Sequence, residues 1–301
     1  MNMHYSAEVR ANRRKRRRDV LQVGVMAGTD SETPGSSPTA RRLPAGRKAT
    51  LANYVNAAGE VTVAELAERF GVSSDTIRRD LVALDAEGIL IRTHGGAVSA
   101  SAVPRPDTGL DVRMRLQTEA KAKIAARAAQ LVSDGDAVII NAGTTTLGLT
   151  RSLGDHKDLT IATNSVRLAA ELSPSTYRDL YLFGGVVRPS AQATIGPLRF
   201  AAWADGSEVD VRASLAIVAV GGVAAEVGHT TSNVAEASMM AEMMDRADRV
   251  AVVADSSKFG RRLFATVASL ARPDYFITDT RPPTEIAARM AEGGCEVLVA
   301  D

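Results

Sequence analysis

The sequence predicts an α/β protein in which a small unit of three helices and a hairpin precedes a larger domain built around a mainly parallel sheet. Two patterns support this prediction. Between residues 47 and 98, three short amphipathic segments are followed by a stretch that alternates apolar and polar residues. From residue 118 onwards, helical and strand patterns alternate, as in TEAKAKIAARAAQLV followed by AVIINAG. Such alternation requires crossover connections and therefore parallel strands covered by helices.

The chain divides into four predicted segments. Residues 1–45 are expected to form a disordered basic tail, residues 46–100 a winged helix-turn-helix, residues 101–117 a linker and residues 118–301 an α/β domain. The tail contains RRKRRR and a run rich in Gly, Ser, Pro and Thr, with too few apolar side chains to offset the entropy of ordering. The net charge of the chain is +7 over residues 1–48, against −3 for residues 49–100 and −3 for residues 101–301. The basic run could hold nucleic acid through phosphates, be a solvated extension, or result from a start codon placed too early.

Start and stop signals predict the three helices of the first domain. The first begins at Arg47 and the second at Thr62 or Val63, and each is closed by a glycine. The third follows Ser73, whose side-chain oxygen can accept from the free N–H groups of the first turn. The segment ILIRTHGGAV then reads as two short strands joined by a tight turn. Three helices and a hairpin make a winged helix-turn-helix.

The third helix holds three consecutive charged residues, Arg78, Arg79 and Asp80. Its buried face is predicted from Ile77 and its helical neighbours, which places Arg78 opposite and Arg79 to one side. In such motifs the start of this helix enters the major groove, where Arg can chelate guanine and small polar side chains reach bases or phosphates. Asp80 would be repelled by phosphate, so we expect it to orient an arginine or to accept a backbone donor. The predicted DNA-contacting residues are Ser73, Ser74, Thr76, Arg78, Arg79, Arg92 and His94.

The composition excludes several classes of protein. No apolar run approaches the ~20 residues of a membrane-spanning helix, and no secretory signal is recognisable, so we expect a cytoplasmic protein. The single cysteine, Cys295, rules out an intramolecular disulfide. The four histidines are scattered and form no metal-binding motif, so no metal and no cofactor is predicted.

Polar and glycine-rich turns follow several predicted strands of the second domain. GTTT follows AVIINA, TNS ends the next strand, GG follows LYLF, and DSSK follows VAVVA. Because ligands of open parallel sheets bind at the carboxyl ends of the strands, we expect these turns to converge on one crevice. A phosphate would fit at the GTTT turn, where backbone N–H groups and hydroxyls point to one place. Lys258 could complement its charge. The turn is neither a Walker A loop nor a GxGxxG fingerprint.

The chain resembles the DeoR family of bacterial transcriptional regulators. The N-terminal match is VTVAELAERFGVSSDTIRRDLVALDAEGILIRTHGGA, and the second domain adds GTTT, TNS, GG with Arg188 nearby, and DSSKFGR, so that it spans about residues 46–280. The resemblance implies a sequence-specific DNA-binding regulator, expected to repress carbohydrate metabolism genes until a phosphorylated sugar relieves it. It also implies an effector domain similar in fold to ribose-5-phosphate isomerase. Symmetric half-sites in double-stranded operator DNA imply a homodimer or homotetramer.

The same resemblance implies an effector site. Thr144, Thr145 and Thr146 would take the phosphate, Lys258 would assist, and the sugar would be bordered by further polar residues. The complete predicted set is Gly143, Thr144, Thr145, Thr146, Asn164, Ser165, Gly184, Gly185, Arg188, Glu236 and Lys258.

Two positions depart from the family pattern. Asn141 stands where Asp is common, and Met240 stands where a basic residue is common. One alternative is a sugar-phosphate isomerase-like enzyme with an accessory DNA-binding domain, in which Glu236 or Asp255 would have to be the general base. Another is a regulator whose effector site has decayed.

Overall fold

The computed structural model describes residues 44–99, 109–198 and 211–301. The predicted disordered tail lies outside these residues except for positions 44 and 45. None of the helices within the described ranges combines the length and apolar character needed to cross a membrane.

The N-terminal domain is a winged helix-turn-helix, as the sequence predicts. It comprises helices α1 (Pro44–Ala58), α2 (Val63–Phe70) and α3 (Ser74–Ala86) and strands β1 (Glu60–Thr62), β2 (Leu90–Arg92) and β3 (Gly96–Ser99). The strands form an antiparallel sheet in the order β1-β3-β2. Sequence reasoning missed β1, because a three-residue strand is too short to show a periodic pattern.

Local signals in the sequence fix the ends of the two central helices. The Thr62 hydroxyl and the Glu65 carboxylate form a reciprocal capping box at the start of α2. Gly71 ends that helix in the left-handed conformation, with φ of 63°. The apolar faces then pack into one core, whose fully buried members include Leu51, Leu66, Ile77, Leu81 and Leu84.

The C-terminal domain contains a parallel sheet of seven strands within the described residues. The strands are β4 (Ala137–Ile140), β5 (Leu159–Thr163), β6 (Tyr177–Leu182), β9 (Ala213–Ala219), β12 (Ala247–Val253), β14 (Tyr275–Thr278) and β15 (Glu296–Val299). Their order in the sheet is β15-β14-β12-β9-β4-β5-β6, and every pairing is parallel. Chain order reverses between β4 and β9, and this switch point is where open sheets of this type bind ligands.

Helices and two small antiparallel sheets surround this central sheet. The helices are α4 (Leu110–Arg115), α5 (Thr118–Ala129), α6 (Thr144–Leu147), α7 (Leu149–Ser152), α8 (Val166–Glu171), α9 (Val234–Asp245) and α10 (Thr284–Glu292). One small sheet pairs β7 (Val186–Arg188) with β8 (Ala193–Ile195), and the other has the order β10 (Gly222–Ala224), β11 (Gly228–Thr231), β13 (Ala265–Ala268). Short 3₁₀ turns cover Pro189–Ala191 and Ser256–Lys258.

Alternate side chains of the central strands enter two apolar cores. Ile139 and Val252 join the methionines of α9 on one face, whereas Ile140 and Val253 join α5 on the other. This two-sided burial explains why the strands read as continuous apolar runs in the sequence. It also explains the methionine stripe of α9, whose members Met239, Met240, Met243 and Met244 are all buried.

Two differences from the predicted elements affect the functional sites. The segment TTTLGLTRSL, whose pattern is helical, is divided into α6 and α7 at Gly148, where a Cβ would lie only 2.8 Å from that of Ala125. The predicted linker contains α4, which packs against both the β2 strand of the first domain and the α6 helix of the second. The linker is therefore partly a structured contact between the two domains.

Candidate functional site

The exposed face of α3 carries two arginines. The side chain of Arg78 is 58% exposed and pairs with Asp75 at 2.9 Å between Nη1 and Oδ1, one helical turn away. Arg79 is exposed and has no hydrogen-bond or ion-pair partner among the described residues. An exposed pair of this kind contributes at most about 1 kcal/mol, so Arg78 can exchange Asp75 for another acceptor at little energetic cost.

Asp80, the third charge in the row, points to the opposite side of the helix. It is 5% exposed, and its carboxylate accepts two hydrogen bonds from Arg47 of α1, at 2.7 Å from Nε and 3.3 Å from Nη2. The bond to Asp80 raises the pKa of the Arg47 guanidinium. Asp80 therefore orients an arginine, as expected, and its role is to hold α1 against α3.

The other predicted DNA contacts lie at the start of α3 and on the hairpin. The Ser73 oxygen caps the helix by accepting from the Thr76 N–H at 3.3 Å, and the two hydroxyls lie 2.9 Å apart. Ser74 is partly buried, whereas Arg92 and His94 are exposed on the β2–β3 hairpin. The predicted residues thus occupy the first two turns of α3 and the adjoining wing.

A second candidate site is a cavity of about 290 Å³ at the carboxyl ends of the strands, next to the β4–β9 switch point. The turns after β4, β9 and β12 contribute to its wall. Of the four turns expected to converge, those after β4 and β12 line the cavity and those after β5 and β6 do not, whereas the turn after β9 was not among the four. Six of the predicted effector residues line it, and these are Gly143, Thr144, Thr145, Arg188, Glu236 and Lys258.

The remaining five predicted effector residues, Thr146, Asn164, Ser165, Gly184 and Gly185, are not among those that line the cavity. Both ends of the Asn164 amide bond to the backbone, because Oδ1 accepts from the Ala142 N–H at 2.7 Å and Nδ2 donates to the Thr194 carbonyl at 2.8 Å. Thr146 donates to the Asn141 carbonyl at 2.7 Å, and Ser165 caps α8. These side chains support the loops that form the cavity.

The glycine pair after β6 also has a backbone role. Gly184 adopts φ of +110°, and a Cβ there would lie 2.6 Å from Oγ1 of Thr194. Gly184 therefore permits the close packing of the β7–β8 hairpin that carries Arg188.

Three cations of the cavity were missed by sequence reasoning, namely Arg113, Lys121 and Arg261. Arg113 lies in the segment assigned to the linker, and Lys121 lies on an amphipathic helix where lysines usually face water. Arg261 belongs to the DSSKFGR segment, which was quoted for the family resemblance but not resolved to this residue. Only the spatial arrangement identifies the first two.

Lys121 is unusual because a charged residue is rarely buried this deeply. It is 5% exposed, and its ammonium group donates to the carbonyls of Arg113 and Leu116. Burial lowers the pKa of Lys121 to about 8. Its ammonium form is therefore held by backbone dipoles in a place where charge is disfavoured.

The other cations are also partly removed from water. Burial lowers the pKa of Arg113, and its buried Nε has no hydrogen-bond partner within the described residues. Burial also lowers the pKa of Lys258, whose Nζ lies 3.6 Å from Oδ2 of the buried Asp255. Arg188 pairs with Glu236 at 3.6 Å, and the Glu236 carboxylate also accepts from the Thr231 hydroxyl at 2.8 Å.

The cavity wall consequently has a strong excess of positive charge. Five cationic side chains and one carboxylate line it, a net charge of +4, and the buried Asp255 carboxylate beside Lys258 reduces the local excess to +3. Buried charge that is only partly compensated is costly, so a site of this composition favours a ligand that brings negative charge.

The structure shows the contacts of Asn141 and Met240, the two residues that depart from the family pattern. Asn141 exchanges hydrogen bonds with Ala219, donating to the carbonyl at 2.8 Å and accepting from the N–H at 2.7 Å. This joins the ends of β4 and β9, and an aspartate could not make the first of these bonds. Met240 lines the cavity as an apolar side chain.

His229 lies in β11, fully buried and stacked on Phe276, with neither ring nitrogen hydrogen-bonded to the described residues. Burial lowers the pKa of His229 to about 4, so the ring is neutral. Within the described ranges, no cluster of His, Cys, Asp and Glu could hold a metal ion.

Comparison with known families matches both domains. The DeoR-like helix-turn-helix domain matches residues 47–103, and the DeoR C terminal sensor domain matches residues 116–280. The chain belongs to the DeoR family. It is 36% identical over 256 residues to the HTH-type transcriptional regulator GlpR of Haloferax volcanii, covering 85% of this chain and 98% of that one.

Two further relatives are repressors from Escherichia coli strain K12. The HTH-type transcriptional repressor CsqR is 31% identical over 80% of this chain and 90% of its own length. The Glycerol-3-phosphate regulon repressor is 30% identical over 78% and 91%. This DeoR-family chain is therefore a DNA-binding transcriptional regulator and not the isomerase-like enzyme of the alternative interpretation.

Solved structures show weaker likeness. A ribose 5-phosphate isomerase from Plasmodium falciparum matches with a TM-score of 0.33 and 11% identity, over 46% of this chain and 52% of the isomerase. The eIF2B delta structure from Chaetomium thermophilum matches with a TM-score of 0.35 and 20% identity, over 50% and 52%. At these TM-scores the likeness supports no conclusion about function.

Proposed function

We propose that this DeoR-family regulator is a repressor that binds operator DNA through α3 and the wing, and that a phosphorylated sugar or related polyol phosphate relieves repression by binding the C-terminal cavity. The observation that carries the effector proposal is the excess of five cations over one carboxylate in a cavity of about 290 Å³. That volume lies at the lower end of the range for small-molecule sites, so the proposed ligand is small.

The lining also favours an organic phosphate over a bare inorganic anion. A phosphate carries up to two negative charges and several acceptor oxygens, which suit Arg113, Lys121 and Lys258. Glu236 would repel a purely anionic ligand, but its carboxylate accepts hydrogen bonds from the hydroxyls of a sugar or polyol. One relative is the Glycerol-3-phosphate regulon repressor of Escherichia coli, which agrees with this ligand class.

The DNA half of the proposal rests on the exposed face of α3. Residues 49–100 carry a net charge of −3, so affinity for phosphates has to come from local clustering of cations. Arg78 and Arg79 provide it beside the Ser73–Thr76 cap, with Arg92 and His94 on the wing as flanking contacts. We place the protein in the cytoplasm, where a bacterial or archaeal regulator meets DNA.

The proposal includes a homodimer or homotetramer, because paired half-sites require two copies of α3. The edge of the central sheet offers a surface for such contacts. Tyr181 and Leu182 of the edge strand β6 and Val186 and Val187 of β7 are all exposed, by 46% to 77%. We expect the double variant Val186→Asp, Val187→Asp to sediment as a smaller species than the wild type. Unchanged sedimentation would show that the subunit contact lies elsewhere.

The direct test is whether added ligand causes the protein to release operator DNA. Operator sequences are first selected from random duplexes with the full-length chain, and operator affinity is then measured with glycerol 3-phosphate, ribose 5-phosphate, glucose 6-phosphate or inorganic phosphate. We expect at least one sugar or polyol phosphate to weaken operator binding by about 5- to 150-fold, the usual range of coupling between sites. Inorganic phosphate should act more weakly.

Cavity variants make the test specific. Lys258→Ala or Thr145→Ala should keep operator binding but reduce ligand affinity by about tenfold or more, since hydrogen bonds to charged groups contribute roughly 1.5–3 kcal/mol. Lys123→Ala is the matched control, because this lysine is 43% exposed on α5 and pairs with Glu119. An unchanged ligand response in both cavity variants would refute the effector site.

A further inference from the structure

Helix α4 contacts both functional sites. Within six residues it places the Arg113 side chain in the cavity wall and the Arg115 side chain on the DNA-binding domain. It packs against α6, which belongs to the cavity, and against β2, which belongs to the wing.

On the DNA side, α4 is attached by an ion pair and by apolar contacts. Arg115 reaches Asp85 near the end of α3, with 2.7 Å between Nη2 and Oδ1. The same carboxylate accepts from the backbone N–H of Arg92 on the wing at 2.9 Å. Asp85 therefore joins α3, the wing and α4.

The apolar contact is a small cluster of its own. Leu116, which follows α4, is buried with Ile91 and Val98 of the wing, and Val112 of α4 packs against them. The position of the wing thus depends on where α4 lies.

On the cavity side, α4 ends in contact with the buried cation of the pocket. The Lys121 ammonium donates to the carbonyls of Arg113 and Leu116 at the C-terminal end of this short helix. Carbonyls at a helix end have no partner within the helix, so they can accept from a side chain. Arg113 adds a buried guanidinium nitrogen without a partner among the described residues. A phosphate entering the cavity would bind both cations.

We propose that α4 transmits ligand binding to the DNA-binding domain, with Arg113 and Lys121 as the ligand-sensing residues and the Arg115–Asp85 pair as the connection to α3 and the wing. The inference rests on the proposed function and specifies its regulation. Phosphate attracts the Arg113 guanidinium and competes with the two carbonyls for Lys121, so the bound state holds the end of α4 differently. Because the wing and α3 are attached to α4, the arrangement that fits the operator is disfavoured.

The test separates ligand binding from its transmission. Arg115→Ala removes the connection outside the cavity, and Arg115→Lys retains a cation. Arg262→Ala is the matched control, since Arg262 forms an exposed ion pair with Glu226 at 2.6 Å. For each full-length protein, calorimetry gives the affinity for glycerol 3-phosphate, ribose 5-phosphate and glucose 6-phosphate, and operator affinity is measured with and without the tightest of the three.

We expect Arg115→Ala to bind the ligand within about twofold of wild type but to reduce the ligand-induced loss of operator affinity to less than about twofold. Arg115→Lys and Arg262→Ala should keep most of the wild-type effect. Hydrogen exchange of the wing, residues 90–98, should respond to ligand in the wild type and not in Arg115→Ala.

Each other outcome overturns the inference in a recognisable way. Full release of DNA by ligand in Arg115→Ala refutes transmission through α4 but leaves the proposed function intact. Reduced ligand affinity in Arg115→Ala would assign Arg115 to the cavity, and loss of operator binding without ligand would assign it to the DNA-binding surface. Either result contradicts its connecting role. If none of the three phosphates binds the wild type or weakens its operator binding, the proposed function fails together with the inference.

Discussion

The cations of α3 and those of the cavity differ in solvent exposure and in what stabilises their charge. Arg78 is 58% exposed and Arg79 is also exposed, so water stabilises their charge until a partner arrives. Lys121 is 5% exposed, and its charge depends on two backbone carbonyls. The first arrangement suits a large, highly charged partner whose position varies with its sequence. The second suits a small anion bound in one fixed geometry.

This difference predicts different sensitivity to conditions. Interactions of exposed charges are screened by salt, whereas buried ones are much less affected. Operator binding should therefore weaken steeply with ionic strength, and ligand binding should respond mainly to the protonation of the cavity.

The largest expected effect is on operator binding. Arg78→Ala with Arg79→Ala should reduce specific operator affinity by about 100-fold or more, since each arginine that reads a base contributes roughly 1–3 kcal/mol. Electrophoretic mobility shifts at fixed salt measure this. Arg289→Ala is the control, because it removes an equally exposed arginine on α10. Undiminished affinity, or an unchanged salt dependence, would show that α3 does not contact DNA through these residues.

The next largest effect is on stability, and it should differ between two acidic residues of α3. Asp80→Ala should lower the free energy of unfolding of the N-terminal domain by about 2–3 kcal/mol, because it leaves the mostly buried Arg47 without its partner. Asp75→Ala should cost less than about 1 kcal/mol, since its carboxylate is 76% exposed. Urea unfolding monitored by circular dichroism compares them. Equal losses would contradict the assignment of Asp80 as the anchor of α1.

A buried neutral group in the α/β domain gives a smaller effect. The pKa of His229 is about 4 in the folded protein against 6.5 when unfolded, so the unfolded state takes up the proton first as the pH falls. Stability is complete above about pH 6.5 and declines toward pH 4, with a loss of about 2 kcal/mol between pH 7 and pH 5.

Thermal unfolding at the two pH values tests this contribution. His229→Phe should reduce the loss, whereas His94→Gln, on the exposed hairpin, should leave it unchanged. The same acid destabilisation in His229→Phe as in the wild type would show that other groups cause it.

The smallest effect concerns the protonation of the cavity. The pKa of Lys121 is about 8, so its ammonium is lost as the pH rises above this value, while a phosphate monoester remains dianionic. Ligand affinity should fall above pH 8, approaching tenfold per pH unit, because each unit corresponds to about 1.4 kcal/mol. In Lys121→Arg the decline should be much weaker, since a guanidinium stays charged. A flat pH profile in the wild type between pH 7 and pH 9.5 would contradict ligand contact by Lys121.

Sequence reasoning succeeded where a short segment specifies its own structure. The start of α3 after Ser73, the turn at Gly71 and the apolar runs of the central strands all follow from neighbouring residues. It could not decide the contacts of Asn164, because an asparagine after a strand looks the same whether its amide faces a ligand or two backbone groups. The structure shows the second arrangement.

The amino-acid sequence by itself determined the two kinds of domain, the helix that presents arginines to solvent, and two of the turns at the carboxyl ends of the strands that line the cavity. Hydrophobic period, capping residues and glycines act over a few positions, so they can be recognised without knowing the fold. Only the tertiary structure decided that Arg113 and Lys121 join Lys258 around one cavity, that Asp80 binds Arg47, and that α4 touches both domains. These contacts join residues that are distant in the chain or lie on unexpected faces, and their energies depend on burial, which arises only once the domains have packed together.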